Sequence, residues 1–131
     1  MHWNANSNLA CIYILAFRYR KLVEDYDFDG IDIDWEYPGY AEHMGTPADK
    51  ENYSLLLHDI RQELDALGEK NDRTYGLTAA LPCGTSNMNN MEIETISEYL
   101  TEFNLMTYGM FLVFDESIVK VALYLVEYLI L

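Results

Sequence analysis

Apolar and polar residues alternate strictly over residues 31–37 (IDIDWEY), the period of a half-buried β-strand. Pro38 and Gly39 end the run. A different period follows. Tyr53, Leu56, Leu57, Ile60, Leu64 and Leu67 recur at spacings of three and four and form one apolar stripe, which predicts an amphipathic helix. Thr46 suits its N-cap, Pro47 its first helical position and Asp49 its third, a variant of the capping box, and Gly68 suits its C-terminal end. Residues 74–81 (TYGLTAAL) read as a second strand closed by Pro82. Residues 91–100 read as a short helix capped by Asn90, and residues 103–108 (FNLMTY) as a third strand. A further helix is expected over residues 18–26. Strands separated by helices in this order predict βαβ units, and so an α/β fold with a parallel sheet.

Two apolar stretches stand outside this pattern. Residues 9–17 (LACIYILAF) are followed, not preceded, by the basic cluster Arg18, Arg20 and Lys21, which is the wrong polarity for a secretory signal. Residues 117–131 contain Lys120 and Glu127 and are shorter than the ~20 apolar residues a bilayer-spanning helix needs. They read as a helix that requires burial.

The chain has 131 residues, half of them hydrophobic, which suits one domain with a packed core. Its 22 acidic and 8 basic residues give a net charge of −14, which repels the phosphates of nucleic acids and anionic membranes. Neither is expected as a partner. A neutral polysaccharide meets no such barrier, and 11 tyrosines and 2 tryptophans supply rings for stacking on sugars, although most rings of this kind pack in cores. Cys11 and Cys83, at no recognisable spacing, read as buried thiols rather than a disulfide or metal framework.

The acids are concentrated where they do chemistry. Glu24, Asp25, Asp27, Asp29, Asp32, Asp34 and Glu36 lie within thirteen residues that hold no lysine or arginine. A solvated charged face fits this run poorly, because Ile31, Ile33 and Trp35 alternate with the last acids. In a strand, positions 32, 34 and 36 share one face and the apolar residues share the other. Carboxyls crowded in this way raise one another's pKa, so one is expected to keep its proton near neutral pH, as a general acid must. One pattern through these residues is that of a calcium loop, with Asp25, Asp27, Asp29, Gly30 and Glu36 at EF-hand positions. Asp32 stands where that loop has an apolar residue, and Pro38 blocks the helix that should follow.

The second pattern is D-x-x-D-x-D-x-E, written here as DGIDIDWE from Asp29 to Glu36. It resembles the signature of glycoside hydrolase family 18, the chitinases and their relatives. YGLTAALP at 75–82 looks like that family's fifth strand, and FNLMTY at 103–108 looks like its sixth. The resemblance covers residues 18–109. It implies part of a (β/α)8 TIM barrel, about strands four to six, with the site at the C-terminal strand ends. It also implies retaining hydrolysis of β-1,4 bonds between N-acetylglucosamine units, with the substrate's own acetamido oxygen as nucleophile.

Carried over by position, the resemblance makes Glu36 the acid and base. Asp34 orients the acetamido group, and Asp32 is hydrogen-bonded to Asp34 and shares a proton with it. Tyr108, Met106 and Tyr37 contact the sugar, while Asp29 and Gly30 are structural. No metal or cofactor is implied, and the partner is chitin or chitooligosaccharides. An extracellular location follows from the family alone. The family has aspartate where Gly109 stands, and residues 110–131 diverge from it. Residues 1–131 are therefore expected to be one incomplete catalytic domain, inactive by itself. The alternative is a non-catalytic, lectin-like chitin-binding relative, although such members usually lack the glutamate found at position 36.

Overall fold

The computed structural model describes residues 5–107. Residues 108–131, with Tyr108, Gly109 and the apolar 117–131 stretch, lie outside them. Three strands form a parallel sheet in the order β1-β2-β3: β1 at Gly30–Asp34, β2 at Gly76–Pro82 and β3 at Glu102–Met106. α1 (Ala5–Tyr26) precedes β1 and α2 (Asp49–Asn71) joins β1 to β2. The short helices α3 (Thr85–Met88) and α4 (Ile93–Ser97) lie between β2 and β3. The parallel α/β arrangement matches the pattern read from the sequence.

The core lies between one face of the sheet and the helices. Ile33, Leu77, Ala79 and Leu81 are buried on that face, and Ile31, Phe103 and Leu105 pack beside them. The stripe of α2 meets them as expected, with Leu57, Ile60 and Leu64 fully buried. α1 packs on α2 through Ile12, Ala16, Tyr19 and Val23, again at spacings of three and four. Burial of each such aliphatic side chain contributes roughly 1.5–3 kcal/mol. A polar seam flanks the two helices: Arg20 Nε pairs with Glu63 at 2.8 Å and Lys70 Nζ with Glu24 at 2.6 Å.

Four expectations about the helices need correction. The first helix begins at Ala5, not at residue 18, because the 12-16-19-23 stripe runs across the apolar 9–17 segment without a glycine or proline to break it. α2 begins at Asp49 rather than Pro47, yet the Asp49 carboxylate still reaches back to the Thr46 N–H at 2.9 Å, as in a capping box. Gly68 lies inside α2; the helix continues to Asn71 and Asp72 takes the left-handed cap position. Its glycine serves a close approach instead, since a Cβ there would sit 2.4 Å from the Arg73 carbonyl oxygen. The helix expected over 91–100 is confined to Ile93–Ser97, and the residue before it is Glu92, not Asn90. Turns that continue from α3 carry the chain through residues 89–91.

Cys83 is buried, and burial pushes its thiol up. Cys11 is exposed, against expectation. It flanks the α1 stripe and lines, with Ile12, Leu15, Trp35, Asn52 and Leu56, an apolar groove of about 210 Å³.

Candidate active site

Register sets the site. Asp32 pairs with Thr78, and Thr78 with Glu102; Asp34 pairs with Ala80, and Ala80 with Asn104. Side chains alternate across a strand, so these residues share the face opposite the core. Asp32 and Asp34 are exposed on it and Ile33 between them is buried. β1 ends at Asp34, three residues short of the run read from the sequence. Trp35 turns toward the core, edge-on to Tyr53 at 5.7 Å and 82°. Burial pushes the Tyr53 phenol up, and the nearby charges of Asp32 and Asp34 push the same way. Glu36 follows, exposed, just past the C-terminal end of the strand.

Asp32 is held from both other strands. Asn104 Nδ2 donates to its Oδ1 at 3.0 Å, and the Thr78 hydroxyl donates to the same oxygen. Among the described residues, Asp32 is bonded to these two side chains and not to Asp34. Neither Thr78 nor Asn104 was singled out by the sequence reading. Their only signal was position: both have the strand parity that puts them beside the acids. Met106 closes β3 opposite Pro82, on this same face and at the end where Glu36 lies. Tyr37 packs edge-on to Tyr40, with ring centroids 6.5 Å apart at 78°. The Glu36–Tyr37 peptide is cis. Tyr108 lies outside the described residues.

Asp29 and Gly30 stand at the opposite end of the strand. The Asp29 carboxylate pairs with Arg73, which also pairs with Asp27 at 2.9 Å, and the Asp29 carbonyl accepts the Gly76 N–H at 2.9 Å. A Cβ at Gly30 would lie 2.1 Å from the Gly76 carbonyl oxygen, so only glycine fits where β1 meets β2. These contacts also overturn the calcium-loop pattern. Asp25 lies in α1 and pairs with Lys21, Asp27 and Asp29 pair with Arg73, and the stretch 30–34 is a paired strand rather than a ligand loop.

Residues 14–121 match the model of "Glycosyl hydrolases family 18". The chain belongs to glycosyl hydrolase family 18. The matched span extends past both ends of the 18–109 segment whose motifs resemble the family. Among curated relatives, chitinase A1 of Niallia circulans is 42% identical over 86 residues, which is 63% of this chain and 12% of that protein. The probable chitinase 2 of Drosophila melanogaster is 34% identical over 115 residues, 81% of this chain and 22% of that one. The chain thus spans less than a quarter of the length of these two relatives. Among solved structures, the family 18 N-acetylglucosaminidase of Paenibacillus barengoltzii superposes with a TM-score of 0.74 at 39% identity, over 77% of this chain and 30% of that one. The multi-modular cell-surface chitinase of Paenibacillus sp. str. FPU-7 gives 0.78 at 27% identity, over 92% of this chain and 16% of that one.

Proposed function

We propose that residues 32–36 are the catalytic strand of a chitinase-type glycoside hydrolase acting on β-1,4-linked N-acetylglucosamine. The three parallel strands would be about strands four to six of a (β/α)8 barrel, and the acids would stand at the C-terminal strand ends, where barrel enzymes build their sites. The single observation that carries the reading is the placement of Asp32 and Asp34 on the exposed side of β1, with Glu36 exposed just past its C-terminal end and Asp32 fixed by Thr78 and Asn104. Family membership and the names of the relatives support the substrate class.

In this reading Glu36 protonates the glycosidic oxygen as the acetamido oxygen of the substrate attacks the anomeric carbon. The leaving sugar departs with that proton and a cyclic oxazolinium remains. Glu36 then takes a proton from the water that opens the ring. Asp34 orients the acetamido group and offsets the positive charge of the intermediate. Sharing a proton with Asp32 requires Asp34 to turn toward it, because Asp32 is otherwise engaged by Thr78 and Asn104. Met106 and Tyr37 lie at the strand ends where the sugar would rest, and Tyr108 is the remaining proposed contact. The chemistry uses no cofactor. Chitin in cell walls or cuticles lies outside cells, which favours an extracellular site of action. Among the described residues no helix is long and apolar enough to cross a membrane.

The test is a chimaera in which residues 14–107 replace the matching segment of the Niallia circulans chitinase A1. It should release chromophore from a chitobiose substrate, and Glu36→Gln should lower kcat by roughly 10²–10⁴-fold while chitooligosaccharide binding persists. Hydrolysis within a few-fold of the parent would remove Glu36 from the mechanism. A chimaera that binds chitooligosaccharide but never hydrolyses it would favour the lectin-like alternative.

A further inference from the structure

The chain that follows Glu36 is wound into a tight turn. The Tyr40 N–H donates to the Tyr37 carbonyl at 3.1 Å, and the N–H groups of His43 and Gly45 converge on the Tyr40 carbonyl at 3.0 and 2.9 Å. A short 3-10 turn over Ala41–His43 lies between them. Both ends of the segment are tied to one side chain. At the start of α2, Asp49 Oδ2 accepts the N–H of Gly39 at 3.1 Å and the N–H of Thr46 at 2.9 Å. The turn is therefore held at its base and across its middle, and the direction of the side chain at position 43 follows from it.

That side chain points back at the strand. His43 Nδ1 lies 3.1 Å from the backbone carbonyl oxygen of Glu36. A carbonyl oxygen only accepts, so Nδ1 carries the proton and Nε2 is left to solvent. The Tyr40 ring stands edge-on to the imidazole, with centroids 4.9 Å apart at 84°, and its hydroxyl is engaged by Glu42 at 2.7 Å. The imidazole is thus oriented by a ring contact as well as by its hydrogen bond.

We propose that His43 is a positioning residue for the general acid: its Nδ1–H holds the Glu36 carbonyl and so fixes the direction in which the acid leaves the strand. Glu36 lies beyond the last paired residue of β1, Asp34, so the strand ladder alone does not hold its backbone. The latch from residue 43 takes over where the ladder stops. The functional part of this inference rests on Glu36 being the acid; the hydrogen bond itself does not.

The test uses the 131-residue chain, labelled for NMR, and three variants. His43→Phe keeps a ring and loses the donor. His43→Asn loses the ring and keeps a short N–H donor. Glu36→Gln removes the acid's carboxyl and leaves the backbone carbonyl in place. The ring nitrogens of His43 should report the Nδ1–H tautomer. The residue-36 carbonyl resonance should carry the downfield shift of an accepted hydrogen bond, in the parent and in Glu36→Gln alike. His43→Phe should abolish that shift and lower the order parameter of the Glu36 side chain, and His43→Asn should restore the order parameter. An Nε2–H tautomer, or a residue-36 carbonyl indifferent to His43→Phe, would overturn the latch. An unchanged Glu36 order parameter in His43→Phe would overturn its positioning role. Because the latch is read in Glu36→Gln as well, its failure is distinguishable from a failure of the assignment of Glu36.

Discussion

Asn104 on β3 donates its side-chain amide to Asp32 on β1 at 3.0 Å, although β2 lies between the two strands. The bond crosses β2 on the exposed side of the sheet, where Asp32 is paired with Thr78 and Asn104 with Ala80. Together with the Thr78 hydroxyl it fixes one oxygen of the second acid of the motif. Asn104→Leu should therefore lower kcat of the chimaera about fivefold, the equivalent of one hydrogen bond of ~1 kcal/mol, with unfolding free energy changed by less than that amount. Kinetics and urea denaturation check it. Loss of stability without loss of kcat would make the bond purely structural.

Calcium should have no effect on the chain. Asp25, Asp27 and Asp29 of the loop-like pattern are engaged by Lys21 and Arg73, and Asp32 and Asp34 lie in a strand. Isothermal titration to millimolar calcium should show no saturable heat. A micromolar dissociation constant would contradict this assignment of the ion pairs.

The 131-residue chain on its own should not turn over chitin. Among the described residues β1 and β3 each have one partner strand, so two sheet edges are open, and nothing covers the face that carries Asp32 and Asp34. A site in bulk water neither distorts the sugar nor excludes solvent from it. A chitobiose assay at pH 4 to 8 should stay at the buffer level. Turnover that Glu36→Gln abolishes would show that the chain assembles a working site.

Acid should loosen the α1–α2 seam. The hydrogen bond from Lys70 holds the Glu24 carboxyl below its usual range, aided by the charges of Lys70, Arg20 and Lys21. A depressed carboxyl pKa contributes stability above the unfolded value of ~4.3, and that contribution is lost as pH falls through the lower folded value. Lys70→Met should thus lower the melting temperature at pH 7 and have little effect below pH 3. Equal effects at both pH values would mean that Lys70 acts through its aliphatic stem rather than its charge.

The elements legible in the sequence were those with one dominant period. The 31–36 alternation and the 53–67 stripe each had a single way to bury their apolar residues, and the structure buries them that way. α1 was legible only in part, because its stripe is diluted by exposed Tyr13, Ile14, Phe17 and Leu22, which hide the spacing of the buried residues. The partners of Asp32 and the latch from His43 were not legible at all. They join residues 46, 72 and 7 positions apart through register and turn geometry, and no local pattern in the chain encodes such a meeting.

The Gly30–Gly76 contact has a consequence at the far end of the strand. Parallel strands that slide by one residue exchange their two faces. Here that exchange would aim Ile31 and Ile33 at the open side and drive Asp32 and Asp34 into the packing between sheet and helices. At the first pair of the two strands neither residue has a side chain, and Arg73 clasps Asp29 just before it. A bulkier residue at Gly30 would meet the Gly76 carbonyl and force the strands apart or along, whereas Gly76 has room for a Cβ. The orientation of the acids is thus decided several residues upstream, by a position that carries no functional group of its own.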